Sequence, residues 1–311
     1  MIDRSGARPV TLSIAAVERD TGLTKDTLRV WERRYGFPVP QRDGLAERAY
    51  PLEQVEKLRV IKRLMDAGHR PGRIVGLPIE ALQQISDSIG GSAPRAPEPS
   101  SAPDLRSCVD LLRTHDIDGL RRQLLQSLLR MGLARLVTEV ISPLNTLVGD
   151  AWMRGHLEIF EEHLYTEAVT VVLRQAIAGI PVAEGGAHPR VLLTTFPNES
   201  HGLGLLMAEA LLLLDGCKCV SLGAQTPIWD IVLAASSQRA DVVALAFTAV
   251  LSPASVNEGL GELRAKLPAD VELWAGGSAP VLHRRPVPGV LALGALPQIA
   301  IEVRRWRAAR G

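Results

Sequence analysis

Glu199, His201 and Gly204 stand as acidic-x-His-x-x-Gly in the segment PNESHGLG. An imidazole is a good metal ligand through either ring nitrogen. A carboxylate two residues earlier can accept the other ring N–H, which fixes the tautomer and raises the basicity of the coordinating nitrogen. Gly202 and Gly204 let the main chain come close to a bulky ligand. On its own the pattern also fits a surface Glu–His pair. A second set is cationic: Lys25, Thr27, Arg29, Arg33 and Arg34 line one face of KDTLRVWERR, with Leu28 and Trp31 on the other. Such side chains at the start of a helix can reach base edges and phosphates; Trp31 reads as core packing. Cys217 and Cys219 form C-x-C, but beside an apolar run they read as small buried strand residues rather than ligands. There is no nucleophile–base–orienter set, Walker loop or Cys/His zinc spacing, so the expectation is a protein that is not an enzyme.

These residues need elements to hold them. From Arg190 onward, apolar runs at 191–196, 218–223, 242–247, 271–276 and 290–294 alternate with helical stretches at 202–214, 227–238, 253–266 and 297–309. Strands apolar on both faces and separated by helices predict a parallel, doubly wound sheet. Its functional loops lie at the carboxyl ends of the strands, and His201 follows the first of these. From Asp104 to Gly179 apolar residues recur at three and four, as in Leu120, Leu124, Leu125, Leu128 and Leu129, and predict a bundle of about four helices. Residues 86–104 are rich in Ser, Pro, Gly and Ala without apolar period and read as a linker. The expected domains are therefore a head at 1–85, that linker, a bundle at 105–180 and a sheet domain at 188–311.

The head has helix-turn-helix grammar. Ile14, Ala15 and Val17 pattern a first helix, Gly22 supplies the turn, and Thr24 is the N-cap of the second helix. Residues 1–75 carry fifteen Lys and Arg against ten Asp and Glu, although the whole chain is only +1. A basic head on an acidic body suits a polyanionic partner.

The segment from Thr27 to Tyr50 resembles the MerR family of winged-helix regulators. Thr27, Leu28, Arg29, Trp31 and Glu32 match its T-L-R-x-[YW]-E; Gly36, Pro40 and Arg42 match G-x-x-x-P-x-R; Arg48 and Tyr50 match R-x-Y. The resemblance covers about residues 10–75. It implies that Arg29 and Arg34, with Arg42, Arg48 and Tyr50 of the wing, hold operator DNA. The wing tip, DGLAER, departs from the usual Gly-Gly-His-Arg type.

The body resembles the cobalamin-binding fold of methionine synthase and corrinoid proteins. There D-x-H-x-x-G supplies the lower cobalt ligand, which implies His201 as metal ligand with Glu199 behind it. Thr248 and Val250 stand in that family's S-x-L place, and Gly276 and Gly277 in its G-G place. The threonine would offer a hydroxyl to the displaced nucleotide tail, and the glycines room for it. In the bundle, Trp152 followed after nine residues by Glu162 and His163 is similar to the signature of light-responsive cobalamin regulators of the CarH/LitR type. That implies Trp152 packed over the upper axial ligand and Glu162 and His163 near an adenosyl group. Met153 stands where light-sensing members carry His, and a thioether is a poor ligand for oxidised cobalt; His156 lies one turn on.

Together the resemblances imply a multidomain α and α/β protein: winged helix-turn-helix head, four-helix bundle and flavodoxin-like sheet. The expected function is a DNA-binding repressor and photoreceptor-type regulator. Its dimer or tetramer assembly would respond to cobalamin, in the adenosyl form or, alternatively, the methyl form. A corrinoid carrier of a methyltransferase, or a regulator whose emptied body binds a protein partner, stays open as an alternative. Apolar runs such as Ala210 to Leu214, closed by Glu209 and Asp215, are too short to span a bilayer. The N-terminus lacks a signal-peptide core. The expected location is the cytoplasm, with no membrane partner.

Overall fold

The computed structural model describes residues 11–42, 47–66, 68–89, 104–181 and 188–310. The wing tip Asp43 to Ala46 and the linker residues 90–103 lie outside them. Contacts group the described residues into two units, one of 11–89 with 149–158, the other of 104–148 with 159–310.

In the first unit, β1 (Thr11–Ser13) leads into α1 (Ile14–Thr21) and α2 (Lys25–Tyr35). Both helices are capped from side chains: Ser13 accepts from the Ala16 N–H at 3.3 Å and Thr24 from the Thr27 N–H at 3.2 Å. Gly22 and Gly36 close them at φ 70° and 68°, where a Cβ would be strained. Then come β2 (Gln41–Arg42), β3 (Arg48–Pro51), α3 (Leu52–Asp66), α4 (Pro71–Ile74) and α5 (Ile79–Ile89). The three strands form an antiparallel sheet in the order β1-β3-β2. Arg42 lies opposite Arg48, and Leu12 opposite Tyr50. Val17, Leu28, Trp31, Leu58 and Ile61 build the core.

The second unit begins with α6 (Leu105–Arg113), capped by Asp104, and α7 (Ile117–Arg135), capped by Asp116. Gly132, at φ 78° and ψ 168°, breaks α7 one turn before its end. A π-helical segment, Leu136–Ile141, leads into α8 (Ser142–Met153), of which the residues from Gly149 onward group with the first unit, and α9 (Ile159–Ala178) completes the bundle. The apolar spacing located the helices but overstated the core: Leu129 is 86% exposed, because it falls on the solvent side of α7 opposite buried Leu120 and Leu124.

The sheet follows in strict alternation: β4 (Arg190–Thr194), α10 (Leu203–Leu214), β5 (Lys218–Gly223), α11 (Ile228–Ser237), β6 (Val242–Phe247), α12 (Pro253–Lys266), β7 (Glu272–Gly277), α13 (Val281–Arg284), β8 (Val290–Leu293) and α14 (Gln298–Ala308). The strands are parallel in the order β5-β4-β6-β7-β8. Chain direction along the sheet therefore reverses between β4 and β6, which is the topological switch point. One sheet face packs Leu192, Val243 and Leu245 against Ile231, Val256 and Leu260 of α11 and α12. The other packs Val191, Leu193 and Trp274 against Leu205, Val303 and Trp306 of α10 and α14. The bundle docks on α10. There Arg174 of α9 meets buried Glu209 at 3.4 Å, and Tyr165 donates to Asn145, whose amide approaches Met207 Sδ at 3.7 Å.

Candidate functional site

The loop after β4 turns at Phe196 to Glu199, where the Glu199 N–H donates to the Phe196 carbonyl at 3.1 Å. Asn198 sits in the left-handed region at φ 67°, a conformation Asn tolerates better than most residues. The turn drives the Glu199 side chain inward to full burial and leaves His201 53% exposed. A buried carboxylate is costly unless its oxygens are satisfied, and here both are. Oε1 lies 2.7 Å from His201 Nδ1 and accepts the His201 N–H at 3.2 Å. Oε2 accepts the Thr248 N–H at 2.7 Å and the Thr248 hydroxyl at 2.8 Å. Burial alone would push the Glu199 carboxyl up. Hydrogen bonds from the His201 ring, the Thr248 amide and hydroxyl, and the His201 amide outweigh it and hold the group below the usual carboxylate range. An ionised Glu199 accepts the Nδ1 proton, so the ring lone pair sits on Nε2.

The arrangement spans the switch point, since Glu199 and His201 follow β4 and Thr248 follows β6. Thr248 differs from expectation in where its hydroxyl points. Its one proton goes to Glu199, not outward, and it also accepts weakly from Val250 N–H at 3.4 Å. Val250 itself is 45% exposed. The longer Glu, in place of Asp, still reaches both partners. Gly204 lies in the first turn of α10, where a Cβ would meet Ala246 Cβ at 3.6 Å, an ordinary contact. Gly277 is different: at φ 113° an added Cβ would stand 2.1 Å from the Phe247 carbonyl oxygen, so the main chain of β6 and β7 needs glycine there. Gly276 has its nearest neighbours at 3.7 Å, on Leu293.

Glu162 and His163 begin α9 and form a looser pair. Their closest approach is 4.0 Å, His163 is 73% exposed, and Glu162 accepts instead from Thr166 Oγ1 at 2.7 Å. One residue earlier, buried Glu161 meets His115 Nε2 at 3.1 Å, with the His115 ring 5.3 Å from Phe160. Sequence reading passed over this pair because 46 residues separate its members. Trp152 and Met153 are half-buried in the last turn of α8.

In the head, Lys25, Thr27, Arg29, Arg33 and Arg34 lie together along α2, with Arg33 and Arg34 exposed near its end. Several cations already have carboxylate neighbours: Lys25 with Glu18 at 3.5 Å, Arg29 with Asp26 at 3.3 Å, and Arg48 with Glu32 at 3.0 Å. Arg42 is exposed on β2, across the wing hairpin from Arg48. Tyr50 departs from expectation. It packs into the core of the head and is fully buried, its hydroxyl without a hydrogen-bond partner. Burial, then Glu32, raises the phenol pKa, while Arg48 and Arg29 pull it down. Trp31 is core, 5% exposed, as its i, i+3 spacing from buried Leu28 on α2 predicts. Cys217 is buried just before β5 and Cys219 half-buried within it; burial pushes the Cys217 thiol up to about 11.

Comparison with known proteins places these features. The model of the MerR HTH family regulatory protein matches residues 12–81, and that of the B12 binding domain matches residues 105–176. The chain is 32% identical over 295 residues to the HTH-type transcriptional repressor CarA of Myxococcus xanthus, covering 92% of each. It is 29% identical over 264 residues to the HTH-type transcriptional repressor CarH of the same organism, covering 85% of this chain and 87% of the relative. Among solved structures, the Methanosarcina barkeri monomethylamine corrinoid protein superposes with a TM-score of 0.51 at 15% identity. It covers 65% of this chain and 96% of its own, a likeness of fold. With a head of one match and a body of the other on a single chain, the protein belongs to the MerR-type helix-turn-helix transcriptional repressors that carry a B12-binding domain, a family of regulators rather than enzymes.

Proposed function

We propose that the chain is a cobalamin-responsive transcriptional repressor, with a DNA-binding head at 1–85, a linker at 86–104 whose first residues, 86–89, still belong to α5 and whose last, Asp104, caps α6, a bundle at 105–180 and a cofactor-binding sheet domain at 188–311. The observation that carries the proposal is the Glu199–His201–Thr248 arrangement at the switch point of the sheet. The donor set suits cobalamin: a half-exposed imidazole, its Nδ1 proton directed to an ionised, fully buried carboxylate, presents Nε2 as a neutral nitrogen ligand. Cobalamin would supply a cobalt centre able to accept such a nitrogen and to carry an organic group. His201 would hold the metal. Glu199 and Thr248 would fix the ring, and Val250, Gly204, Gly276 and Gly277 would border the nucleotide tail. Trp152, Glu162 and His163 would meet the upper group, with adenosyl the form proposed.

Lys25, Thr27, Arg29, Arg33, Arg34, Arg42 and Arg48 would hold double-stranded operator DNA, with Tyr50 bracing the wing from inside. One head offers few base contacts, so a homodimer or homotetramer on a repeated site gains affinity by avidity. The ligand acts by preferring one assembly state. The setting is cytoplasmic. Among the described residues no helix is long and apolar enough to cross a membrane. The MerR match favours a regulator over a corrinoid carrier, which needs no operator-binding module.

The test is to load the full chain with adenosylcobalamin in darkness and follow its visible spectrum, gel-filtration volume and binding to a DNA selected from a random pool. A coloured protein whose assembly and DNA affinity both depend on loading is expected; a protein that leaves the column colourless overturns the proposal. Repeating the run after green illumination separates a light-responsive switch from a dark ligand sensor.

A further inference from the structure

The His201 loop is tied to a second loop by one hydroxyl. Thr195, fully buried in the first position after β4, donates from Oγ1 to the Glu199 carbonyl at 2.5 Å and accepts from the Gln225 N–H at 2.8 Å. A threonine hydroxyl has one proton, so it donates to one partner while accepting from another. Both partners are main-chain groups, and they belong to different loops. Glu199 precedes His201, and Gln225 lies in the connection between β5 and α11. That connection is held rather than relaxed. Gln225 sits at φ 64°, in the left-handed region that side chains avoid. Further bonds pin it on either side: the Thr226 N–H to the Thr195 carbonyl at 3.0 Å, Thr226 Oγ1 to Thr194 Oγ1 at 2.7 Å, and Thr194 Oγ1 to the Gly223 carbonyl at 2.9 Å.

Packing does not ask for a hydroxyl at this place. Valine has nearly the shape of threonine, suits a strand end and would bury without a polar atom. A polar group in a fully buried position is accounted for by what it bonds, and here it bonds the backbone of the residue that orients the imidazole. Nor does the ring's own carboxylate make the tie redundant. Glu199 Oε1 and Oε2 are committed to His201 and Thr248, and its N–H to the Phe196 carbonyl, so its own carbonyl is the polar group left for Thr195 to hold.

We infer that Thr195 is a positioning residue for the His201 ligand, and that the 223–227 connection belongs to the same site through it. The inference rests on the cobalamin reading above. It places a control on ligand strength in a loop that the motif does not include: displacement of Gln225 withdraws a partner from Thr195 and loosens the turn that holds Glu199.

The experiment compares the full-length wild type with Thr195→Val and Thr195→Ser, each labelled with 15N-histidine and loaded with cob(II)alamin. Electron paramagnetic resonance then reads coupling of cobalt to a protein nitrogen. Wild type and Thr195→Ser should show full coupling. Thr195→Val should bind about tenfold more weakly, in the range seen when outer partners of a metal ligand are removed, with a reduced fraction carrying histidine nitrogen. Equal affinity and coupling in Thr195→Val overturns the inference. Hydrogen exchange in the ligand-free proteins is the second readout. Exchange at the Gln225 and His201 amides should rise about tenfold in Thr195→Val and not in Thr195→Ser, and unchanged exchange overturns the clasp. A wild type without histidine coupling sinks the cobalt assignment instead, and exchange alone then judges Thr195. Should Thr195→Val not fold, the wild type decides. Added hydroxocobalamin should slow exchange at Gln225 and Thr226 together with His201; slowing at His201 alone overturns the tie.

Discussion

Two Glu–His pairs in this chain use the same side chains to different ends. Glu199 and His201 close at 2.7 Å around a fully buried carboxylate, with Thr248 satisfying the other oxygen. Glu162 and His163 stay 4.0 Å apart on the solvent side of α9, and Glu162 prefers a neighbouring threonine. The contrast shows that residue type sets what chemistry is possible, and burial sets whether it is prepared. The first pair is oriented before any ligand arrives. In the second, Glu162 is held by Thr166 rather than by His163, so the exposed imidazole is not oriented by the carboxylate beside it.

Four experiments would break or sharpen this contrast. The largest effect belongs to His201→Ala, which removes the proposed ligand itself and should weaken cobalamin binding by at least about 100-fold, the upper end for loss of an outer partner of a metal ligand, and change the visible spectrum of whatever binds. Unchanged affinity and spectrum would remove the first pair from the site. Next is Glu199→Ala, expected to weaken binding about 10-fold to 100-fold and to lower the thermal midpoint of the sheet domain, since it strands the Thr248 N–H; calorimetry with and without ligand reads both.

The third is pH. Glu199 titrates lower folded than unfolded, so its contribution to stability is fully present above the ordinary carboxylate value and is lost as pH falls through the depressed one. Denaturant midpoints measured downward from pH 6 should therefore fall more steeply in wild type than in Glu199→Gln. Parallel curves would mean that Glu199 is not held ionised. Smallest is Glu162→Gln with His163→Ala, which should change ligand-free stability by less than about 0.5 kcal/mol, as for exposed weak pairs. A larger loss in the melt would show the second pair to be built in after all.

The central strands of the sheet were legible because burial on both faces leaves continuous apolar runs, as in β6, which coincides with its run; the edge strand β5 also coincides with its predicted segment, although none of its residues is fully buried. The first run promised a strand to Phe196, but β4 ends at Thr194, where the register with β5 shifts and two hydroxyls leave the ladder for the loops. Apolarity carries no signal for that. Short α13 and the π-helical turn at Leu136–Ile141 were likewise hidden, the one too brief for a period and the other apolar in a way that suits any helix. In the site, Glu199 and His201 were visible as neighbours in the chain. Their partner Thr248 could be placed only by resemblance, and the direction of its hydroxyl not at all, since 49 residues separate it from Glu199. The full burial of Tyr50 was not legible, because a motif names a residue without saying how deep it sits.

Gly277 has an evolutionary consequence. With the Phe247 carbonyl oxygen 2.1 Å from where a methyl would stand, and φ at 113°, even alanine has no room. Gly202, with nothing within 4 Å of its missing side chain, faces no such barrier. Drift among descendants of this gene should therefore leave the tip of β7 frozen whatever ligand selection comes to favour, while at the doorstep of α10 only a bound ligand, and not the fold, restrains change.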